Sequence, residues 1–253
     1  FPMTTLVQLN AFTFCLALAA AGQLPVTHAG DAMPQLAKKS DAQTTPAEAR
    51  EVIALWQDAG PKMWFAKDPA FDKRFRERFL AQHEAASRGD LAAWTNTPDG
   101  TLALLLLLDQ YPRNAFRGTP RMYATDTLAR GIADAAIAAG QDRAIPPALR
   151  IFMYLPFGHS ENLTDQERSV ELSRTLGEPS LSHAVGHRDI IRRFGRFPHR
   201  NAALGRTSTA QETADLVANA RKLTDRIMTS ASCSESSRLV ASSHINQIRA
   251  PTT

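Results

Sequence analysis

Apolar residues recur along most of this chain at intervals of three and four, the spacing that collects them on one side of an α-helix. Phe71, Phe75 and Phe79 follow at i, i+4 and i+8. A helix opened by Asp68-Pro69 and closed by Gly89 therefore turns an aromatic stripe toward a core. Thr45-Pro46-Ala-Glu48 opens an earlier helix with a cap, a proline at the first helical position and an early acid, and Gly60-Pro61 closes it. Leu102 to Leu108 is apolar on every side, which predicts a central, fully buried helix. Thr125 to Ala139 reads as an Ala-rich helix stopped by Gly140. Pro146-Pro147 starts another, carrying Ile151, Phe152, Tyr154 and Leu155 up to Pro156. Thr164-Asp-Gln-Glu167 and Thr209-Ala-Gln-Glu212 both have the capping-box pattern; Gly177 ends the first of these helices, and the second runs toward Met228. His183 to Phe194 is helical, and Gly195 to Gly205 is a loop. No stretch alternates apolar and polar residues as a strand would. The expected fold class is all-α, with antiparallel helical pairs joined by short Gly/Pro turns.

The ends of the chain read differently. Ala11 to Ala21 is a short apolar run broken by Gly22 and Pro25, and Thr27-His-Ala29 places small residues after it, the pattern of an export signal. Residues 1–10 carry no basic side chain, a departure from that pattern. The run is too short to span a bilayer. The expected organisation is a signal peptide over 1–29, a linker over 30–44, a helical domain over 45–229 and a Ser-rich tail over 230–253. A periplasmic or secreted location follows, with no stable membrane span in the mature chain. Loss of the signal would remove Cys15 and leave Cys233, so an internal disulfide and a two-cysteine metal site are both excluded.

With 253 residues, 43% of them hydrophobic, the chain can bury one substantial core. Its formal charge of +4 is concentrated: His187 to Arg206 holds six arginines (Arg188, Arg192, Arg193, Arg196, Arg200, Arg206) against one acid, Asp189, a local excess of +5. The rest is close to neutral, so a nucleic-acid partner, which calls for basic residues spread along a face, is not expected. Interleaving with Phe194, Phe197 and Pro198 predicts guanidinium groups held against apolar surface, aimed at an anion or at buried carboxylates.

Three polar groups interrupt apolar surroundings. Asp109-Gln110 with Arg113-Asn114 ends the leucine helix, and Asp109 and Arg113, four apart, can pair although Pro112 distorts the ladder between them. His159-Ser160-Glu161, with Asp165-Gln166 behind, leaves an apolar helix in a turn. Adjacent residues rarely face one another, so Ser160 reads as support for the next helix rather than as a nucleophile of His159. His183 and His187 lie at i, i+4 on one face, and His199 follows beyond the turn at Gly195. Asp109, Glu161 and Asp165 are candidate ligands of a divalent metal ion, together with these histidines; they serve equally well as counter-ions of the arginines. A Gly-rich phosphate loop, a Gly-x-Ser-x-Gly elbow and zinc-type cysteine pairs are all missing.

Trp64-Phe-x-Lys-Asp-Pro-Ala-Phe-Asp72, Leu107-Leu-Asp-Gln-Tyr-Pro-Arg-Asn114, Tyr154-Leu-Pro-Phe-Gly-His-Ser-Glu161, Asp165-Gln-Glu-Arg-Ser169 and His187 to Asn201 resemble the bacterial family called domain of unknown function 924. Gly205-Arg-x-Ser-Thr209 fits as well, and the resemblance spans residues 48 to 213. It implies an all-helical fold with a tetratricopeptide-like arrangement of helical pairs, and it supplies no reaction. The chain departs from the family pattern in its export-type N-terminus and after the Ser-Thr motif, where it continues as Ala210-Gln-Glu-Thr-Ala-Asp215.

Two functions fit these residues. In the first, a hydrolase acts on a small ester, lactone or amide of anionic character. His159 or His187 is the general base, with His199 nearby. Glu161 or Asp165 orients the base or holds a metal-bound water, and Arg193 and Arg196 stabilise an oxyanion. Asp109, Gln110, Arg113, Asn114, Arg188, Arg200 and Asn201 would then line the substrate. In the second, the helical array is a non-catalytic platform whose arginines grip a peptide carboxylate or another acidic partner.

Overall fold

The uninterrupted leucine run becomes the centre of the molecule. The computed structural model describes residues 44–229; the expected signal segment and tail, and all of the linker but Thr44, lie outside the described residues. Helices α1 (Ala47–Ala59) and α2 (Pro69–Arg88) precede α3, which joins Pro98–Leu105 to Tyr111–Ala115 through a π turn at Leu106–Gln110. Then come α4 (Asp126–Ala138), α5 (Pro147–Gly158), α6 (Leu163–Arg174), α7 (Ser180–Phe194) and α8 (Ala210–Thr229). All regular structure among the described residues is helical. Helices α1, α2, α4 and α5 pack on α3, and from there α5 packs on α6 and α6 on α7. Leu102 and Leu105 to Leu108 are completely buried, which requires neighbours all round and explains the absence of polar residues in that run. The stripe of Phe71, Phe75 and Phe79 joins Trp56, Tyr111 and Phe152 in the same core.

Pro112 explains the π turn. A regular helix would send the N–H of residue 112 to the Leu108 carbonyl, but proline has none. The helix widens, and the Tyr111 N–H reaches back to the Leu106 carbonyl instead. The three carbonyls that follow are taken by side chains. Leu107 O accepts from His83 Nδ1 at 2.9 Å, Leu108 O from Thr125 Oγ1 at 2.5 Å, and Asp109 O from Arg113 Nη1 at 2.6 Å. The bulge thus sets Asp109 and Gln110 inside the protein at the end of an apolar helix.

Two expected caps differ. Thr45 does not cap α1; its hydroxyl donates to Thr97 Oγ1, and Pro46 stands at the cap. Helix α6 is capped by Asn162, whose Oδ1 accepts from the amides of Thr164 and Asp165, because the helix begins two residues before the Thr164 pattern would place it. The Thr209–Glu212 box does form, with both reciprocal bonds present. Helix α5 continues past Pro156 to Gly158, since a proline removes one hydrogen bond without ending a helix whose next residues are buried. Gly158 permits close approach to α6: a Cβ there would stand 3.0 Å from Ser169 Oγ. No helix among the described residues is long and apolar enough to cross a membrane.

Candidate active site at the Asp109 and His159 pair

The π turn of α3 and the C-terminus of α5 meet at a carboxylate and an imidazole fifty residues apart. His159 Nδ1 donates to Asp109 Oδ1 at 2.8 Å. A carboxylate only accepts, so Nδ1 carries the proton and Nε2, across the ring, is a free base. Asp109 is 1% exposed and is held from other sides by Gln110 Nε2 on Oδ2 at 2.6 Å and Arg113 Nη1 on Oδ1 at 3.1 Å. Burial alone would raise the Asp109 pKa, but Arg113 and His159 outweigh it and hold the carboxyl down to about 2. The His159 pKa is lowered, by burial first and by Arg113 next, against the opposing pull of Asp109. The imidazole is therefore neutral at physiological pH while its tautomer is fixed.

A second layer holds this pair. Arg113 makes a two-pronged contact with Asp126 at 2.9 and 3.0 Å. Arg200 Nη1 meets the same carboxylate at 3.3 Å, and its Nη2 donates to the His159 carbonyl at 2.7 Å. The Arg200 guanidinium lies between the rings of Tyr123 and Phe197, 4.5 and 4.7 Å from their centroids. Gln166, fully buried, donates through Nε2 to the carbonyls of Gly158 and Ser160 on either side of His159. Ser160 bridges to Asp165 and to the Asn162 amide, as expected of a helix support.

Two further histidines stand near. His187 Nδ1 donates to the Gly158 carbonyl at 3.1 Å, leaving its Nε2 as the basic nitrogen, and its ring centroid is 6.4 Å from that of His159. Phe197 packs against both His187 and His199, at 5.4 and 5.3 Å. The His187 pKa falls to about 4, from burial and the neighbouring His159 and His199. That of His199, which keeps an open edge, is lowered by burial of its ring and by Arg200.

The other predicted residues are placed differently. The carboxylate that orients His159 is Asp109, in place of Glu161 or Asp165. Glu161 takes two bonds from Arg206, at 2.8 and 3.0 Å, and one from the Phe197 amide, so it pins the 195–206 loop. Its pKa is lowered by Arg206 and the Phe197 amide, against burial, which alone would raise it. Asp165 pairs with Arg130 at 3.1 Å. No three His, Cys, Asp or Glu side chains among the described residues are grouped to hold a metal ion; the candidate ligands Asp109, Glu161 and Asp165 each have an arginine instead. The arginine cluster disperses into separate ion pairs. Arg188 goes to Asp189, Arg192 to Glu167, Arg193 to Asp215, Arg196 to Glu212, Arg200 to Asp126 and Arg206 to Glu161. Arg193 and Arg196, expected beside the base, bond to carboxylates of α8. Asn201 donates to Ser208 and Glu212, and Asn114 accepts from Arg117. Asp126 and Tyr123 were not anticipated: an acid in the first turn of a helix reads as a partner of the helix dipole, and only the folded chain shows two arginines converging on it.

An all-helical protein with a buried aspartate on a π turn bonded to a histidine at the end of another helix is the class that fold and site define. The profile described as "Bacterial protein of unknown function (DUF924)" matches residues 52–219, and the chain belongs to that family. It is similar to a solved structure, the protein of unknown function ATU0120 from Agrobacterium tumefaciens, at 51% identity and a TM-score of 0.67, covering 68% of this chain and 98% of that one. Among curated proteins nothing matches.

Proposed function

We propose that the protein is a hydrolase of a small ester, lactone or amide, with His159 as general base. The observation that carries this reading is the Asp109–His159 hydrogen bond: a buried carboxylate fixes the tautomer, and the lowered pKa keeps Nε2 unprotonated. His159 Nε2 takes a proton from water as the water oxygen attacks the carbonyl carbon and the carbonyl electron pair moves onto oxygen. The imidazolium, stabilised by Asp109, then returns the proton to the departing alkoxide or amine. Arg200, bonded to the His159 carbonyl and with its buried Nε bonded to no group of the described residues, is the cation best placed to offset the oxyanion charge. His187 supplies a second neutral imidazole beside the first.

The fold supports a tetratricopeptide-like reading in that α3 to α7 pack as consecutive neighbours. A binding platform built on a free arginine cluster is less well supported, because those arginines already face carboxylates within the chain.

The test is hydrolysis by the purified chain across a panel of esters, lactones and amides, with and without chelator, beside His159→Ala and Asp109→Asn. Turnover lost in both variants while their circular dichroism is unchanged is the expected result. Turnover that survives in His159→Ala, or no turnover on the panel, would overturn it.

A further inference from the structure

His159 and His187 are set in the same tautomer by different partners. Each donates Nδ1–H into the structure, His159 to Asp109 Oδ1 at 2.8 Å and His187 to the Gly158 carbonyl at 3.1 Å. Each therefore keeps Nε2 as an acceptor. Two acceptors cannot bond to one another, but a molecule with two hydrogens on one atom can donate to both.

The spacing of the rings selects what can join them. Their centroids are 6.4 Å apart and their planes are tilted by 40°. A direct contact between two imidazole nitrogens at hydrogen-bond distance holds the centroids within about 5.3 Å, too close for this pair. A tetrahedral ion about 2.1 Å from each nitrogen gives roughly the same short separation. A water oxygen about 2.8 Å from each nitrogen lies about 4 Å from each centroid, and at an angle near 105° it sets the centroids about 6.3 Å apart. One bridging water fits the pair.

His187 is held in place to receive it. The Gly158 carbonyl that fixes its tautomer also accepts from Gln166 Nε2 at 2.9 Å, so that carbonyl is anchored from α6. Phe197 packs against the imidazole at 5.4 Å with the planes at 73°. The ring is half-buried and lines the groove between α7 and α8, which gives water a path to it.

We infer that one water donates a hydrogen to His159 Nε2 and the other to His187 Nε2, and that His187 is a second catalytic residue, aligning this water for attack. With both hydrogens engaged, a lone pair of the oxygen is left for the carbonyl carbon. His159 takes the first proton as the carbon–oxygen bond forms. The second hydrogen stays on the new hydroxyl, still donated to His187, which accepts a hydrogen bond throughout and takes no proton. The bridging position is read from the two rings alone; the water's part as nucleophile rests on the hydrolase reading.

Two measurements on the full chain test this. In the first, nuclear Overhauser cross-peaks from water to the Hε1 protons of both His159 and His187 are expected in the labelled protein. His187→Phe, which keeps a ring against Phe197 and leaves Gln166 on the Gly158 carbonyl, should abolish the cross-peak to His159. The second follows an ester of the panel in mixtures of water and methanol. Methanol has a single O–H for His159 and none for His187. His187→Phe should therefore lower the ratio of hydrolysis to methanolysis at least about tenfold, the loss of one hydrogen bond to the attacking water. His187→Gln can give its N–H to Gly158 and accept from the water through its carbonyl, so it should restore the ratio to within about threefold. Absence of the water cross-peaks in the unmodified chain, or an unchanged ratio in His187→Phe, overturns the inference. Cross-peaks at both rings with no turnover on the panel would leave the bridging water standing and remove the hydrolase reading.

Discussion

Asp109 is charged where almost no water reaches, and what keeps it charged is the pairing with Arg113 and His159. Asp109→Asn should therefore leave the backbone in place but free the imidazole to adopt the wrong tautomer. A drop of about 10²–10⁴ in kcat with little change in KM is expected. Because Asp109 raises the His159 pKa, the rising limb of the pH–rate profile should also move to lower pH; an unmoved limb would contradict the assignment. Asp126 is a different case, serving two buried arginines at once. Asp126→Ala leaves Arg200 without its carboxylate and Arg113 with Asp109 alone, and should cost about 3–5 kcal/mol in urea unfolding. Arg192→Ala, which breaks an exposed pair with Glu167, should cost under about 1 kcal/mol. Sequence alone could single out Asp109 and His159, since each interrupts an apolar stretch. It could not join them, because nothing local links two residues fifty positions apart. Asp126 was hidden for the opposite reason, having an ordinary local explanation already.

At the scale of the element, the legible features were those with a local cause. Periodicity located the helices, and the left-handed glycines Gly89, Gly140 and Gly195 end theirs as read. The Thr209–Glu212 box is local by construction. The α6 start was misread because Thr164 and Asn162 are both competent caps, and the winner depends on where the chain leaves α5. Least legible was the π turn. Pro112 announces a disturbed ladder, but whether the helix breaks, bends or widens depends on partners for the freed carbonyls, and those come from α2 and from the residue before α4. That dependence is testable. Thr125→Val keeps the shape and removes the hydroxyl that serves Leu108 O. It should destabilise the protein by about 1–3 kcal/mol, the cost of a buried acceptor without a partner. It should also lower activity more than an equally destabilising core change such as Leu149→Ala, because the bulge carries Asp109. Equal activity loss per unit of stability in the two variants would detach the π turn from the site.

For the whole molecule, the arrangement of titrating groups around Phe197 predicts how stability follows pH. His187 and His199 pack on that ring and His159 lies against His187, with Arg200 packed on Phe197 and Arg113 bonded to Asp109 behind His159. Asp109, Asp126 and Glu161 are the acids facing this cluster, and each is already engaged by an arginine. Protonating an imidazole here adds a cation where compensating charge is spent. His187 is held at about 4 against an ordinary 6.5, so between those values the unfolded chain binds a proton that the folded chain refuses. Stability must then be greatest above about 6.5 and fall as pH drops toward 4. Carboxylates act in a lower window: Asp109 and Glu212, both held to about 2, contribute stability above their ordinary values near 4 that is lost only as pH falls from there toward 2. Two regimes should therefore appear in urea midpoints measured from pH 8 to pH 3, a histidine slope and then a carboxylate slope. His187→Gln keeps a donor for the Gly158 carbonyl but cannot titrate, so it should make the slope between 6.5 and 4 shallower, leaving the share of His159 and His199, and keep the acid limb below 4 in place. A slope between 6.5 and 4 unchanged in His187→Gln would mean that His187 titrates as freely in the folded chain as in the unfolded one, and the imidazole would then be too well solvated to act as a neutral partner of His159.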